Sequence, residues 1–158
     1  MKTEVSGSGR ITEKGSAMAE ICSLRVGDAL FGVPISHILE IIGSTHPQPV
    51  PLAPGFVGGL VHYRGDVLTT VSLRHLLHLP AVAGPQAVLI LDSRDGCFGL
   101  LVDSVGEVLT IPEADLEPNP PNLDANRKAF FLGAYKLTNG LLVMLDADQL
   151  DPVRLIAT

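Results

Sequence analysis

Apolar and polar positions alternate in short runs along most of this 158-residue chain, and the runs are cut by dipeptides with turn chemistry. Gly27-Asp28, Gly65-Asp66, Asp95-Gly96 and Asn139-Gly140 each stand between segments rich in Val, Leu, Ile and Phe. Glycine supplies positive φ at little cost and Asp or Asn tolerates it, so each dipeptide predicts a hairpin. The strands expected are 21–26, 30–34, 56–64, 67–72, 87–92, 97–102, 130–137 and 141–146, with further strands at 39–42 and 106–110. "SHILEI" and "SLRHLL" open on Ser36 and Ser72, which can cap a helix, and carry apolar residues at helical spacing, so both predict one or two helical turns.

The runs repeat. "DALFGVPISHILEII" (28–42) superposes on "DGCFGLLVDSVGEVL" (95–109) at an offset of 67. "FVGGLVHYRGDVLTTVSLRHLL" (56–77) lies over "FFLGAYKLTNGLLVMLDADQLD" (130–151) at an offset of 74, matching Phe56 with Phe130, Gly59 with Gly133, Leu68 with Leu142 and Leu76 with Leu150. Turns that recur in register point to a duplicated unit. The pattern therefore predicts two small, mostly antiparallel β lobes with little helix, and closure into barrels would remove their sheet edges.

Composition narrows the functional classes. Hydrophobic residues make up 46% of the chain and charged residues only 18%, a surplus that leaves apolar surface for an interface. The net charge is −6, and no lysine occurs between Lys14 and Lys128, so the basic stripe of a nucleic-acid binder is missing. The uncharged stretch from Ile41 to Tyr63 holds Pro47, Pro49, Pro51 and Pro54, which no spanning helix tolerates, so direct membrane insertion is not expected. Residues 1–19 are rich in Gly, Ser and charge and read as a flexible N-terminal tail, leaving 20–155 as a single domain of two intertwined lobes. Cys22 and Cys97 lie among apolar residues and are expected to be buried thiols of a cytoplasmic protein.

No sequence motif for catalysis is found: G-x-S-x-G, the P-loop, G-x-G-x-x-G, H-E-x-x-H and C-x-x-C are all missing. His75 and His78 could share a helical face as metal ligands but have no third ligand nearby in sequence. "DSRDG" (92–96) lacks the alternating ligands of a calcium loop and reads as a turn. Asp103 and Glu107 read as an acidic surface face. No catalytic residue, metal or cofactor is therefore expected.

"PLAPGFVGGLVHYRGDVLTTVSLRHLL" resembles the core signature of the CheW-like domain family, a Pro-x-x-Pro-x-Phe-x-x-Gly segment leading into an Arg-Gly hairpin. "LFGVPISHILEII" and "GLLVDSVGEVLTIP" resemble two further segments of that family, and the resemblance runs over about residues 20–155. His62-Tyr63 stand where the family has Asn-Leu, and Ser72 where Asp or Asn is common. The resemblance implies a mostly β fold: two SH3-like five-stranded β-barrels related by a pseudo-twofold, with short helices. It also implies a non-catalytic adaptor that couples the cytoplasmic tip of a chemoreceptor to the regulatory domain of a CheA-type histidine kinase, in chemotaxis or twitching motility. Carried over by position, it assigns partner-binding or structural roles to Ile38, Glu40, Gly59, Arg64 and Gly65, with Arg64 holding Glu40 in an ion pair. The alternative from another class is a sensor of a small ligand or metal in the groove between the lobes.

Overall fold

The computed structural model describes residues 17–119 and 129–157; of Ala157 only the backbone is described. Residues 1–16 of the tail expected at 1–19 lie outside them. Ten strands form, and each hairpin expected from the turn dipeptides is present with a two-residue loop. They are β1 (Met18–Val26), β2 (Ala29–Pro34), β3 (Ile38–Thr45), β4 (Val57–Tyr63), β5 (Asp66–Ser72), β6 (Gln86–Ser93), β7 (Gly96–Val102), β8 (Ser104–Pro112), β9 (Phe131–Leu137) and β10 (Gly140–Leu145). Three loops sit one residue earlier than the dipeptides suggested: Arg64-Gly65, Arg94-Asp95 and Thr138-Asn139. β1 also takes in the last two residues of the expected tail, because Met18 and Ala19 pair with Pro112 and Ile111.

The strands make two five-stranded curled sheets, ordered β9-β10-β2-β1-β8 and β3-β6-β7-β5-β4. The second sheet is built from one continuous stretch of chain, whereas the first combines an N-terminal hairpin with three strands from beyond residue 103. The two repeats have exchanged partners: each gives its first hairpin to one sheet and its next three strands to the other. Pairing registers carry the repeat offsets faithfully. Ser23 faces Gly32 as Ile90 faces Gly99, and Gly133 faces Met144 as Gly59 faces Thr70. Each sheet also holds one parallel pair, Gly32 with Met144 and Gly99 with Thr70.

Both sheets close on themselves through the chain that leaves an edge strand. Beyond β3, Gln48 exchanges two 2.8 Å backbone hydrogen bonds with Leu60 of β4; beyond β8, Glu117 exchanges two of 2.9 Å with Ala134 of β9. Gly59 and Gly133 make these crossings possible. Both sit at register shifts with φ of +121° and +141°, and a Cβ would stand 2.7 Å from the Gln48 carbonyl oxygen and 2.3 Å from that of Glu117. Only glycine fits such a site.

The largest apolar cluster lies between the sheets, joining Leu24, Val26, Phe31 and Val33 to Leu89, Leu91, Phe98 and Leu100. Each fully buried aliphatic side chain there contributes about 1.5–3 kcal/mol of transfer free energy. Smaller clusters fill the two barrels at equivalent repeat positions: Ile21, Tyr135, Leu142 and Met144 in one, Val88, Val61, Leu68 and the fully buried Thr70 in the other.

Helix is confined to short turns. α1 (Leu73–Leu76) starts where "SLRHLL" predicted, with the Ser72 hydroxyl accepting the His75 N–H at 3.2 Å. It ends on His78 at φ +61°, with Leu79 N–H donating to the Arg74 carbonyl at 2.9 Å and His78 N–H to that of His75 at 3.0 Å, a left-handed stop that turns the chain away. α2 (Ala147–Leu150) occupies the corresponding place in the second repeat, capped by Asp146. It ends differently: Asp151 stays extended before Pro152, and its carboxylate accepts the Val153 N–H at 2.8 Å, starting α3 (Pro152–Ala157). "SHILEI" is not a helix. Only a 3-10 turn forms at Ile35–His37, without a side-chain cap from Ser36, and the following Ile-Leu-Glu-Ile-Ile is strand β3, as its β-branched residues favour.

Candidate partner-binding surface

The five residues singled out from the sequence fall on two neighbouring elements of the second sheet. Ile38 opens β3, pairs with Leu91 and packs half-buried against the main core. Glu40 is exposed on the same strand, opposite Ile90, just past a register shift. Gly59 is the closure glycine of β4. Arg64 and Gly65 form the two-residue loop of the β4–β5 hairpin, both left-handed at φ +50° and +85°. Such a loop matches the twist of its strands, and Gly65 adopts it freely whereas Arg64 is strained there.

Arg64 does not hold Glu40. Among the described residues no ion pair joins them; the Arg64 guanidinium lies over the ring of its neighbour Tyr63, 5.4 Å from the centroid. The closure bridge explains why. Leu60 of β4 sits opposite Gln48, eight residues past Glu40, so the closure sets β4 against the chain beyond β3 rather than against Glu40. Tyr63, present where the family has Leu, supplies the aromatic face instead. The guanidinium is thus exposed without a carboxylate partner among the described residues.

Around these positions lies apolar surface that sequence patterning assigned to no role. Leu39 and Ile41 of β3 are 41% and 46% exposed, and Val108 of β8, the repeat counterpart of Ile41, is 55% exposed. An outward aliphatic residue at the same place on both edge strands was visible in the 67-residue offset, but its exposure depends on where the exchanged strands end up. Exposed edge strands of this kind are the parts of a sheet that accept partners.

Other residues considered from sequence are dispersed. Asp103 accepts the Arg74 Nη1–H at 2.5 Å, the Gly27 backbone N–H at 2.8 Å and Gln86 Nε2–H at 3.4 Å, whereas the Glu107 side chain is exposed and its backbone carbonyl takes the Ser23 hydroxyl at 2.7 Å. The pair is therefore no common acidic face: Asp103 is a knot between the β1–β2 turn, α1 and β6. Among the described residues no group of three His, Cys, Asp or Glu side chains is placed to hold a metal ion. "DSRDG" is the expected turn, with Ser93 Oγ–H donating to the Gly96 carbonyl at 3.0 Å. Cys22 is buried as expected, but Cys97 is exposed, because it falls on the outward alternate of β7 next to the turn. Burial pushes the Cys22 thiol pKa up; Cys97 is raised by partial burial, and further by the charges of Asp92, Asp66 and Asp151. Neither is an activated thiolate.

The sequence profile of the CheW-like domain matches residues 20–152. The chain belongs to the CheW-like domain family. Among curated relatives it is 30% identical to the chemotaxis protein CheW of Rhizobium meliloti (strain 1021) over 84% of this chain and 87% of that protein. It is 34% identical to the protein FrzA of Myxococcus xanthus over 67% of this chain and 68% of that protein. The crystal structure of the scaffolding protein TtCheW from Thermoanaerobacter tengcongensis superposes with a TM-score of 0.76, at 23% identity, covering 85% of this chain and 92% of that one, and so shares the fold. The mostly β architecture expected from the CheW-like resemblance is the one observed. No helix among the described residues is long and apolar enough to cross a membrane.

Proposed function

We propose that this CheW-like chain is a non-catalytic adaptor in a chemosensory array, coupling the cytoplasmic tip of a chemoreceptor to the regulatory domain of a CheA-type histidine kinase. The observation that carries the reading is the surface of the second sheet: exposed Leu39 and Ile41 on an edge strand, with the unpaired Arg64 fork on the nearby hairpin. An apolar stripe beside a planar cation suits a protein partner that buries aliphatic side chains and presents a carboxylate. Family membership and the likeness to a chemotaxis protein CheW support the same role, in chemotaxis or twitching motility. The place of action is the cytoplasm. In this scheme Ile38 and Gly59 set the backbone of the surface, Gly65 sets the hairpin tip, and Glu40 and Arg64 meet the partner separately.

Titration of the cognate kinase regulatory domain and, in parallel, of a receptor-tip fragment tests the reading. Binding in the micromolar range, about −8 kcal/mol, is expected for at least one of them, without nucleotide or metal. Ile41→Asp weakens it by about tenfold or more, because a charge desolvated without a partner costs several kcal/mol. Arg64→Ala weakens it while leaving folding stability within about 0.5 kcal/mol, since no internal ion pair is lost. Failure of both partners to bind at about 50 µM, with a small molecule or metal raising the melting temperature saturably, would replace the adaptor with the sensor reading.

A further inference from the structure

A groove of about 690 Å³ opens between the β1–β2 turn, the end of α1 and the outer face of β9 and β10. Its floor is apolar, with Phe31 and Phe131 rings 6.2 Å apart and Val143 and Leu79 beside them, and its rim carries Asp28. Asp28 is exposed and has no ion pair or side-chain hydrogen bond among the described residues. It stands apart from the β3 and β4–β5 surface assigned above to kinase and receptor.

The internal repeat shows what such a groove holds. In the second repeat the corresponding site lies between the β6–β7 turn, the end of α2 and β5, and α3 fills it. There Leu155 packs against the main core, Asp151 accepts the Ser93 hydroxyl, and Arg154 Nε donates to Asp95 at 3.1 Å. Asp95 is the repeat counterpart of Asp28, Phe98 of Phe31, and Val153 of Leu79. The first repeat cannot fill its own groove, because His78 stops α1 in the left-handed conformation and Arg74 Nε–H, donating to the Pro80 carbonyl at 2.7 Å, draws the following chain toward the other barrel. The two sites thus share a phenylalanine, Phe31 or Phe98, and an acidic rim; Val57 and Thr69 stand in the second where Phe131 and Val143 stand in the first, and of the two the second is occupied.

We propose that this groove is a docking site for a short amphipathic helix of a partner protein, one that lays branched aliphatic side chains on the Phe31–Phe131 floor and offers a basic residue to Asp28. The template is α3 itself, whose sequence Pro-Val-Arg-Leu-Ile places an arginine beside aliphatic residues.

The probe is a lactam-stapled, fluorescein-labelled peptide copying residues 151–158, titrated into the full-length chain and followed by anisotropy and by amide chemical shifts. Saturable binding with a dissociation constant of about 100 µM to 1 mM is expected, with shifts at Gly27, Asp28, Leu79 and Val143. Asp28→Lys, an exposed change that leaves folding intact, weakens it about tenfold, and a peptide with glutamate in place of its arginine regains affinity for that variant. Three outcomes overturn the proposal: no saturation by a few millimolar peptide; shifts confined to Ser93, Asp95 and α3, meaning exchange into the seat already filled; or affinity indifferent to the charge at residue 28. Groove shifts that grow with protein concentration before peptide is added would also overturn it, by naming a second copy of the chain as the occupant.

Discussion

The two repeats hold their first hairpins in place by different chemistry at corresponding positions. In the first, the Gly27 N–H of the β1–β2 turn is accepted by Asp103, which is in turn gripped by Arg74 from α1. In the second, the Arg94 N–H of the β6–β7 turn is accepted at 2.8 Å directly by Asp148 of α2, which stands at the repeat position of Arg74. Likewise Val26 and Leu77 of one repeat correspond to Ser93 and Asp151 of the other, an apolar pair set against a hydrogen-bonded one. A backbone requirement, pinning a turn against the helix that follows the second hairpin, is met once by a relayed ion pair and once by a direct capping carboxylate. The fold constrains the position of a contact more tightly than its chemical kind.

The sharpest way to break the comparison is at the closure glycines, where the repeats are most alike. Gly133→Val and Gly59→Val should each cost about 3–5 kcal/mol or abolish folding, with Gly133 the worse because its carbonyl neighbour is closer. Gly140→Ala, also at positive φ but with nothing within 4 Å of the new Cβ, should cost only about 1–2 kcal/mol in the same urea titrations. Equal losses at Gly133 and Gly140 would make backbone strain, not barrel closure, the reason for glycine.

The two turn clamps should then separate. Arg74→Ala strands a half-buried Asp103 and should cost about 1–3 kcal/mol, below the range for fully buried pairs because the carboxylate retains 26% exposure. Arg94→Ala removes a pair whose arginine is 71% exposed, while the turn N–H keeps its bond to Asp148, so a change within about 0.5 kcal/mol is expected.

A pH titration distinguishes the barrel interiors. Burial, then the charges of Glu113 and Asp115, push the Tyr135 phenol above its ordinary pKa, while its counterpart Val61 carries no proton. A raised phenol pKa favours the neutral form in the folded state, so its contribution is full below about pH 10 and is lost as pH climbs through the folded value. Tyr135→Phe should flatten the alkaline limb of the stability profile, and an unchanged limb would exclude Tyr135 as its source. The smallest effect is local: His78→Gly should raise stability by about 0.5–1 kcal/mol by relieving the left-handed stop of α1, a position to which Pro152 corresponds.

Most of the β architecture was legible because its signals are local. Turn dipeptides and apolar alternation marked all four hairpins, and the offsets of 67 and 74 marked the duplication before any pairing was known. The segment "SHILEI" shows the limit: two isoleucines and a leucine satisfy both periodicities, and the strand wins because β6 offers it a free edge far away in sequence. The site was legible in its members and not in their relations. Arg64, Gly65 and Gly59 stand out in the sequence, yet whether Arg64 meets Glu40 or Tyr63 depends on the closing register between β4 and the chain after β3, which no run of residues states. The Asp103 knot and the Asp28 groove were hidden for the same reason, being assembled from both repeats.

The exchange of strands also sets an order of events during synthesis. Every strand of the second sheet has been made once β7 is complete at Val102, but the first sheet needs β10, which ends at Leu145. At ordinary translation rates the intervening stretch takes about 2–9 s to emerge. The β1–β2 hairpin gains β8 on one flank once the chain reaches Pro112, but its β2 flank stays unpaired to the end of that interval, while its apolar face can already rest on the finished sheet. The nascent protein is therefore half-built by design of its topology, with one lobe acting as the template on which the other waits for its last strand.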